Sequence, residues 1–408
     1  MSLMPTASFP SRTRDDVCES RDRLPLAALL ALAMTGFTAI MTETLPAGLL
    51  PQLAAGLEVS QATAGQLVTS YAVGSLVAAI PLTALAQGWR RRPTLLAAII
   101  GFLVFNTVTA LSTTYALALG ARFLAGIAAG LAWGILAGYA RRMVAGPQQG
   151  RALAIAMVGT PLALSLGVPA GAFLGAAIGW RWAFLAMSGT TVALVAWVAV
   201  AVPDYPGQAC DQRQAVGSVF GMPGVRPILA VVFAWMTAHN VLYTFMAPLA
   251  ARAGLEGRVD LLLLGFGLSA LAGIWLIGVL VDRVLRVLVL ASLALFAAAT
   301  LLLGLGGTVP AALTGSVLAW GLSFGGAATL LQTAIGDAAG EGVDLANAMV
   351  TTVWNGAIAG GGVIGGLLLH VGGADLLAWA AILFIAAAFL VATAARHRGF
   401  VPGPRAQA

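Results

Sequence analysis

Apolar runs of bilayer length recur along nearly the whole of this chain, and they leave it few ways to fold. The first, Leu26 to Leu50, is long enough to cross a hydrocarbon core, which takes about 20 mostly apolar residues. A bilayer offers no water to an unpaired backbone, so segments of this kind span it as helices. The pattern predicts helices 1 and 2 over 26–86, with a break near Pro51 to Gln61. Helix 3 is expected from Thr94 to Leu111, helix 4 from Tyr115 to Tyr139, helix 5 from Ala152 to Ile178 and helix 6 from Trp182 to Val202. A polar stretch, Pro203 to Pro227, interrupts the series, and six more runs follow at 228–250, 261–281, 287–304, 310–334, 345–369 and 376–395. The expected fold is all-α and integral to the membrane, with twelve transmembrane helices in two six-helix halves, 25–202 and 228–395. A linker, 203–227, joins the halves, and polar tails, 1–24 and 396–408, flank them. Only 9% of the 408 residues are charged, against about 25% in a soluble domain.

The charges that are present set the orientation. All 21 basic residues are arginines, and they concentrate on one side of the expected helices. Arg90, Arg91, Arg92, Arg141, Arg142, Arg151, Arg213, Arg226, Arg283 and Arg286 fall with both tails on that side, against Arg181, Arg252 and Arg258 on the other. Positively charged loops stay inside, so both termini are expected in the cytoplasm of a bacterial cell, with the chain in the inner membrane. The net charge of +6 does not mark a nucleic-acid binder, because the arginines sit at helix ends and not on one basic face. Cys18 and Cys210 both fall in the expected cytoplasmic segments and are read as reduced thiols. The polar start is too long, and the first apolar run too extended, for a cleaved signal peptide; a disordered cytoplasmic tail and an uncleaved first helix are expected.

Glu43 is the one acid in the first apolar run. A carboxylate in hydrocarbon costs about 2.5–3.5 kcal/mol on insertion scales, and such residues usually face an interior cavity. At ~1.5 Å per residue from Leu26, however, it lies ~25 Å along the helix, where wetting from the outer interface is the alternative. In helix 7, Trp235, His239 and Tyr243 are spaced four apart and share a face, with Asn240 adjacent. His239 falls near the midplane, where an imidazole titrates close to neutral pH and hydrogen-bonds in either state. These residues are read as a cavity wall, with a histidine bonded to a neighbouring helix as the alternative. Asn347, Thr351 and Asn355 form a polar stripe on helix 11, which lipid would reject, so it is expected to face inward. Trp133 in helix 4 and Trp320 in helix 10 are candidate stacking rings or core residues. Arg122, two turns into helix 4, needs an anion or several carbonyls, either to modulate Glu43 or as a structural clamp. The glycines of helices 4, 5 and 11 are read as packing sites, since small residues let backbones approach.

The two halves repeat each other. After helix 8 the chain reads Gly278-Val-Leu280-Val-Asp282-Arg283-Val-Leu-Arg286, and the matching place after helix 2 reads Thr83-Ala-Leu85-Ala-Gln87-Gly-Trp-Arg90-Arg91-Arg92-Pro93. Internal repeats of this kind mark secondary transporters, whose substrate sites lie between halves. The Gly278 to Arg286 segment resembles the loop motif of the major facilitator superfamily. Arg122 with Gly126 and Gly130 is similar to that superfamily's motif of the fourth helix, and Gly167-Val-Pro169-Ala-Gly171, with Gly175 and Gly179-Trp180-Arg181, is similar to its antiporter motif. Thr42-Glu43, Leu49-Leu50-Pro51, Ser70-Tyr71-Ala72, Thr237-Ala238-His239 and Asn355 resemble the sugar-efflux branch of the twelve-helix drug:proton antiporters.

The resemblance implies proton coupling through Glu43 and His239, and a substrate cavity lined by Tyr71, Trp133, Trp235, Asn240, Tyr243, Trp320 and Asn355. It implies gating or structural roles for Arg91, Arg122, Gly167, Pro169, Gly278, Asp282, Arg283 and Arg286. Two positions depart from the motif: Thr83 stands where the family has glycine, and Gln87 where it has an aspartate that locks the cytoplasmic face. An amide cannot ion-pair, which leaves the lock between halves to Asp282 and Arg283. The expected function is secondary active transport, with proton-coupled efflux of small polar or amphipathic solutes, sugars or drugs, by alternating access. An importer or facilitator of the same fold, or a non-transporting sensor or enzyme, is the alternative. Expected partners are a small-molecule substrate, protons and membrane lipid, without nucleic acid, and the chain is expected to act as a monomer. No cofactor is implied, because no Cys/His cluster has metal-ligand spacing and no glycine-rich strand–helix loop ends in Gly-Lys-Ser/Thr.

Overall fold

The computed structural model describes residues 24–209, 211 and 213–403. The N-terminal tail up to Arg23, with Cys18, lies outside the described residues, as do Cys210 and the chain end that holds Arg405. All regular structure among the described residues is helical. The first half comprises α1 (Leu26–Gly48), α2 (Gln61–Leu85), α3 (Arg91–Leu111), α4 (Tyr115–Arg142), α5 (149–178) and α6 (Trp180–Ala201), with a short helix, Leu50–Gly56, after α1. The predicted linker contains a helical turn, Val216–Gly221, and the second half opens with α7 (225–252). One long helix, Val259–Gly306, follows, but its 48 residues would measure about 72 Å, more than two bilayer cores. Val284, at φ −139° and ψ 40°, leaves the helical region and divides it into α8 (259–283) and α9 (285–306). The loop expected around Gly278 to Arg286 is therefore helical, with the turn made at one residue. α10 (310–339), α11 (Val343–Gly372) and α12 (Asp375–Ala394) follow, and the described residues are consistent with twelve spans.

Three spans are broken, and each break has a local cause. In α5 a π-helical turn, Ala163–Gly167, precedes Pro169, whose ring crowds the carbonyl four residues back and supplies no N–H. In α7 the helix stops at Tyr243 and resumes at Met246, and the residue whose carbonyl lacks a donor is Thr244, four before Pro248. In α10 the break falls on Gly325 and Gly326, between Pro310–Phe324 and Ala327–Ala339.

The internal repeat reappears in the packing. A side chain at Gly126 or Gly130 of α4 would strike the α2 backbone at Tyr71, Ser75 or Ala79, and one at Gly74 of α2 would strike Phe123 of α4. In the second half, Gly321 and Gly325 of α10 meet Phe266 and Ala270 of α8, and Gly273 of α8 meets Leu322. The same reciprocal glycine contact thus seats α4 on α2 and α10 on α8. In α5, Gly167 and Gly171 receive Phe37, Met41 and Leu45 of α1, and Gly175 receives Leu49 just after it. The tight turn from α5 into α6 is made by Gly179 at φ 97°, a conformation that side chains disfavour.

The second half has one apolar core, and the first half has two, one of which takes in Ile274 of the second half. Large apolar side chains also cover the outside of the bundle: Phe173, Trp275, Val371 and Leu383 are each more than 70% exposed. Water would reject that surface and lipid accepts it, as in a multi-pass membrane protein. The halves meet through α5 against α8, and through α2 and α4 against α11.

Candidate functional site

Glu43 lies five residues before the end of α1, at the end of the bundle opposite most of the arginines. The segment that carries it is fixed by a consequence of Pro46. That proline has no N–H and crowds the carbonyl of Thr42, four residues back, so the carbonyl has no donor in its own helix. Arg122 of α4 supplies one: its Nη2 donates to the Thr42 carbonyl and, at 3.4 Å, to the Glu43 carbonyl. Its Nε donates to Leu67 of α2 at 3.4 Å. The guanidinium lies 4.9 Å from the centre of the Tyr71 ring, and the Tyr71 hydroxyl donates to the Ala39 carbonyl at 3.0 Å. From α3, Asn106 Nδ2 donates to Thr42 Oγ1 at 2.9 Å. Arg122 is fully buried, and its charge is met by carbonyl dipoles and a ring face.

The half-buried Glu43 makes no ion pair among the described residues, although its carboxyl is within electrostatic reach of Arg122 and Tyr71. Sequence reasoning singled out Glu43, Tyr71 and Arg122 and missed Pro46 and Asn106. The spacing Thr42-x-x-x-Pro46 was the available signal. Trp133 stands apart from this group, with its six-membered ring over Gly36 of α1.

In the second half, the structure gathers rings around His239. Its imidazole stacks on Phe324 of α10, with centroids 3.6 Å apart and planes at 6°, and on Tyr243 at 5.1 Å and 25°. Trp320 stands edge-on to it at 5.3 Å, and Phe266 of α8 lies at 5.8 Å. Trp354 of α11 reaches Phe324 at 6.4 Å. His239 Nδ1 and Trp320 Nε1 are buried and have no hydrogen-bond partner. Trp235, expected on the same wall, is instead fully buried in the core and outside this ring cluster. Asn240 donates to its own helix at Met236 and packs against Gly361. Asn347, Thr351 and Asn355 likewise donate to carbonyls four residues back, so the stripe satisfies its donors within α11. Phe266 and Phe324 were missed, because a phenylalanine in an apolar helix carries no sequence signal beyond packing.

At the arginine-rich end the halves are joined by polar contacts with one polarity. Asp282 of α8 accepts from the backbone N–H groups of Gly150 and Arg151, at 2.6 and 2.9 Å, where the positive end of the α5 dipole lies. Asp344 of α11 pairs with Arg91 at 2.7 Å and with Arg142 at 3.4 Å, and Asp337 of α10 pairs with Arg141 at 2.9 Å. Each acid comes from the second half and each partner from the first. Glycines make room for the contacts: a side chain at Gly138 would strike the Asp344 carboxylate, one at Gly150 the Asp282 carboxylate, and one at Gly336 the Arg141 guanidinium. Arg283, expected to share the lock with Asp282, is exposed and makes no ion pair among the described residues. Arg286 holds the end of its own half together, donating to Ala392, Thr393 and Phe400 carbonyls. Gly278 presses on Ala154 of α5.

Gln87 is bound to the linker and not to the second half. Its Nε2 donates to the Gln214 carbonyl at 3.0 Å, its Oε1 accepts from Gln214 N–H at 2.9 Å, and its carbonyl accepts from Gln208 N–H at 2.8 Å. Asp204 accepts from Arg90 Nε at 2.7 Å and from Arg92 N–H at 3.0 Å, and Gln208 donates across to the Glu341 carbonyl at 2.6 Å. The linker therefore runs as a strap from the first half to the loop before α11.

Two six-helix halves related by a packing repeat, joined along one polar face and carrying buried polar groups in their interiors, define a membrane transporter of the two-lobed type. The chain belongs to the Major Facilitator Superfamily, whose family model matches residues 32–342. It is 30% identical over 352 residues to a chloramphenicol efflux pump of Mycobacterium tuberculosis, covering 83% of this chain and 85% of that protein. A purine ribonucleoside efflux pump of Escherichia coli is 29% identical over 305 residues, 73% of this chain and 76% of that one. Among solved structures, the fold is shared with the human organic anion transporter MFSD10, at a TM-score of 0.72 and 15% identity, covering 91% of this chain and 99% of that one. It is shared also with the proton:xylose symporter XylE, at a TM-score of 0.71 and 15% identity, covering 91% and 95%.

Proposed function

We propose that this transporter exports small polar or amphipathic solutes, sugars or drugs among them, in exchange for protons, by alternating access of its two halves. The observation that carries the reading is the state of Glu43: an acid in a membrane helix, beside a buried arginine whose hydrogen bonds are taken by carbonyls. A carboxyl that is not committed to an ion pair is free to take a proton and release it. The arginine-rich end is the cytoplasmic one by the positive-inside rule, in the inner membrane of a bacterium. The polar contacts between the halves lie at that end, so the arrangement described is closed to the cytoplasm and leaves Glu43 toward the outside. Outside protons load Glu43, and their release on the cytoplasmic side resets the empty carrier. Two relatives are efflux pumps, for chloramphenicol and for purine ribonucleosides, which supports export as the direction.

The test is Glu43→Gln in inside-out vesicles. The amide keeps the shape and cannot lose a proton, so solute binding is retained and proton-driven accumulation is abolished. Undiminished accumulation driven by a pH gradient in that variant rules out the role.

A further inference from the structure

α8 and α10 are pressed together where Gly321 and Gly325 of α10 meet the backbone of Phe266 and Ala270 of α8. Nearer the starts of the two helices the contact is looser. A Cβ placed on Gly265 would meet only the side chain of Leu318, its Cδ2 at 3.0 Å. A groove of about 190 Å³ is left there, lined by Leu261, Leu262, Val317 and Leu318, with Arg258 and Thr314. Leu262 and Val317 are buried and form its floor, while Leu261 and Leu318 are exposed and form its walls. The exposed face continues down α8 as Leu264 and Leu268, so the groove opens to the bilayer. Leu261 to Gly265 lie ~3–9 Å from the start of α8, and Thr314 to Leu318 lie ~6–12 Å from the start of α10. That is the depth at which acyl chains begin below the headgroups.

Arg258 sits one residue before α8, at headgroup level, and it is exposed. Three arginines stand at this end of the bundle, the end opposite the arginine-rich face. Arg181 lies over the Trp180 ring at 4.2 Å and donates to the Ser112 carbonyl at 2.7 Å. Arg252 pairs with Asp375. The Arg258 side chain makes no ion pair among the described residues. Its neighbours in sequence, Glu256 and Asp260, leave the turn without a net positive charge, so a phosphate is recognised here by contact and not by a long-range field. The hydroxyl of Thr314 donates to the Pro310 carbonyl and brings no free donor to the groove. An apolar channel with one guanidinium at its mouth matches an acyl chain that ends in a phosphate, which arginine binds bidentately. Its volume falls short of the ~300–1,000 Å³ of a drug-sized pocket, which excludes a compact solute.

We propose that this groove holds one acyl chain of a bilayer phospholipid, whose phosphate is bound by the Arg258 guanidinium. The chain fills the gap that the glycine contacts leave between α8 and α10, where an empty groove would forfeit dispersion contacts. The site is independent of the export reading, since it faces the lipid and not the interior.

Two photoactivatable probes test it, a phosphatidylcholine and a diacylglycerol that carry the same diazirine-bearing chain and differ by the phosphate headgroup. The full-length protein is held in phosphatidylcholine nanodiscs with either probe at trace level, and labelling of 258–265 and 314–318 is read by peptide mass spectrometry. Leu383 of α12, exposed and ~12 Å from the start of its helix, is the reference at equal depth. Bulk phospholipid competes for the groove, so the diacylglycerol probe is excluded from it. The groove-to-reference ratio is expected to be at least about fivefold higher for the phosphatidylcholine probe. Arg258→Gln is expected to abolish that preference, and Thr314→Phe, which fills the groove from an exposed wall, to lower its labelling by both probes. Continued labelling at Leu383 shows that each variant is embedded. Equal ratios for the two probes overturn the proposal, as does a preference that survives Arg258→Gln, groove labelling that Thr314→Phe leaves unchanged, or a groove that neither probe labels.

Discussion

Pro46 and Arg122 are far apart in the chain, and each explains the other. The proline strips the Thr42 carbonyl of its helical donor, and the arginine, buried where a free charge is expensive, replaces that donor. Arg122→Met is expected to lower stability by about 1–3 kcal/mol, because a buried carbonyl is then left unpaired. In a Pro46→Ala background the backbone N–H regained at that position closes the helix onto Thr42, and the cost of losing Arg122 falls by about 1 kcal/mol. Thermal unfolding of the four proteins of this cycle measures the difference, and strictly additive effects would refute the link. Glu43, Arg122, His239 and Trp320 were legible as candidates because charge and aromaticity are conspicuous among apolar residues. What each one touches was not legible. Arg122 binds the backbone around Glu43, and Trp235, on the same helical stripe as His239, ends in the core, since helix periodicity says which residues align but not which neighbour covers them.

At the scale of elements, the linker is the segment whose composition said least about its structure. It reads as a polar spacer, yet it is bound on both sides, by Gln87, Arg90 and Arg92 in the first half and by the Glu341 carbonyl in the second. The departure from aspartate at position 87 makes sense there. An amide donates to the carbonyl and accepts from the N–H of one residue, Gln214, which a carboxylate cannot do. Burial pushes the Asp204 carboxyl up, but the Arg92 N–H and the Arg90 guanidinium outweigh it and hold the group below the ordinary carboxylate range. A depressed carboxyl stabilises docking above its unfolded pKa, about 3.9, and the contribution is lost as pH falls through the lower folded value. The strap is therefore expected to stay docked from about pH 8 to pH 5 and to loosen only below about pH 4. The Arg90 pair is largely exposed, so the contribution is at most about 1 kcal/mol. Amide hydrogen exchange of 203–215 across that range measures it, and loosening already at pH 6 to 7 would assign the docking to another group.

Across the whole molecule, the closed end is held by acids of one lobe against cations and a helix end of the other. Asp344 serves two arginines, and Arg91 beside it is almost wholly enclosed. Asp344→Asn leaves that arginine buried without its counter-charge, which costs about 3–5 kcal/mol in the closed arrangement. Separation of the lobes exposes the arginine to water and relieves the cost, so the variant is expected to favour the arrangement open at the arginine-rich end. Spin labels at the exposed positions Pro147 and Arg283 report the lobe separation; an unchanged distance distribution would show that Asp344 does not hold the closed state. The sequence alone determined the class of fold, because a bilayer sets the length of each segment and obliges each helix to satisfy its backbone locally. Tertiary structure alone decided which carbonyl the buried arginine serves, which lobe supplies the acids of the closed face, and which rings surround the histidine. Those are contacts between residues distant in the chain, chosen by how closely glycine-lined helices approach, and no local pattern encodes them.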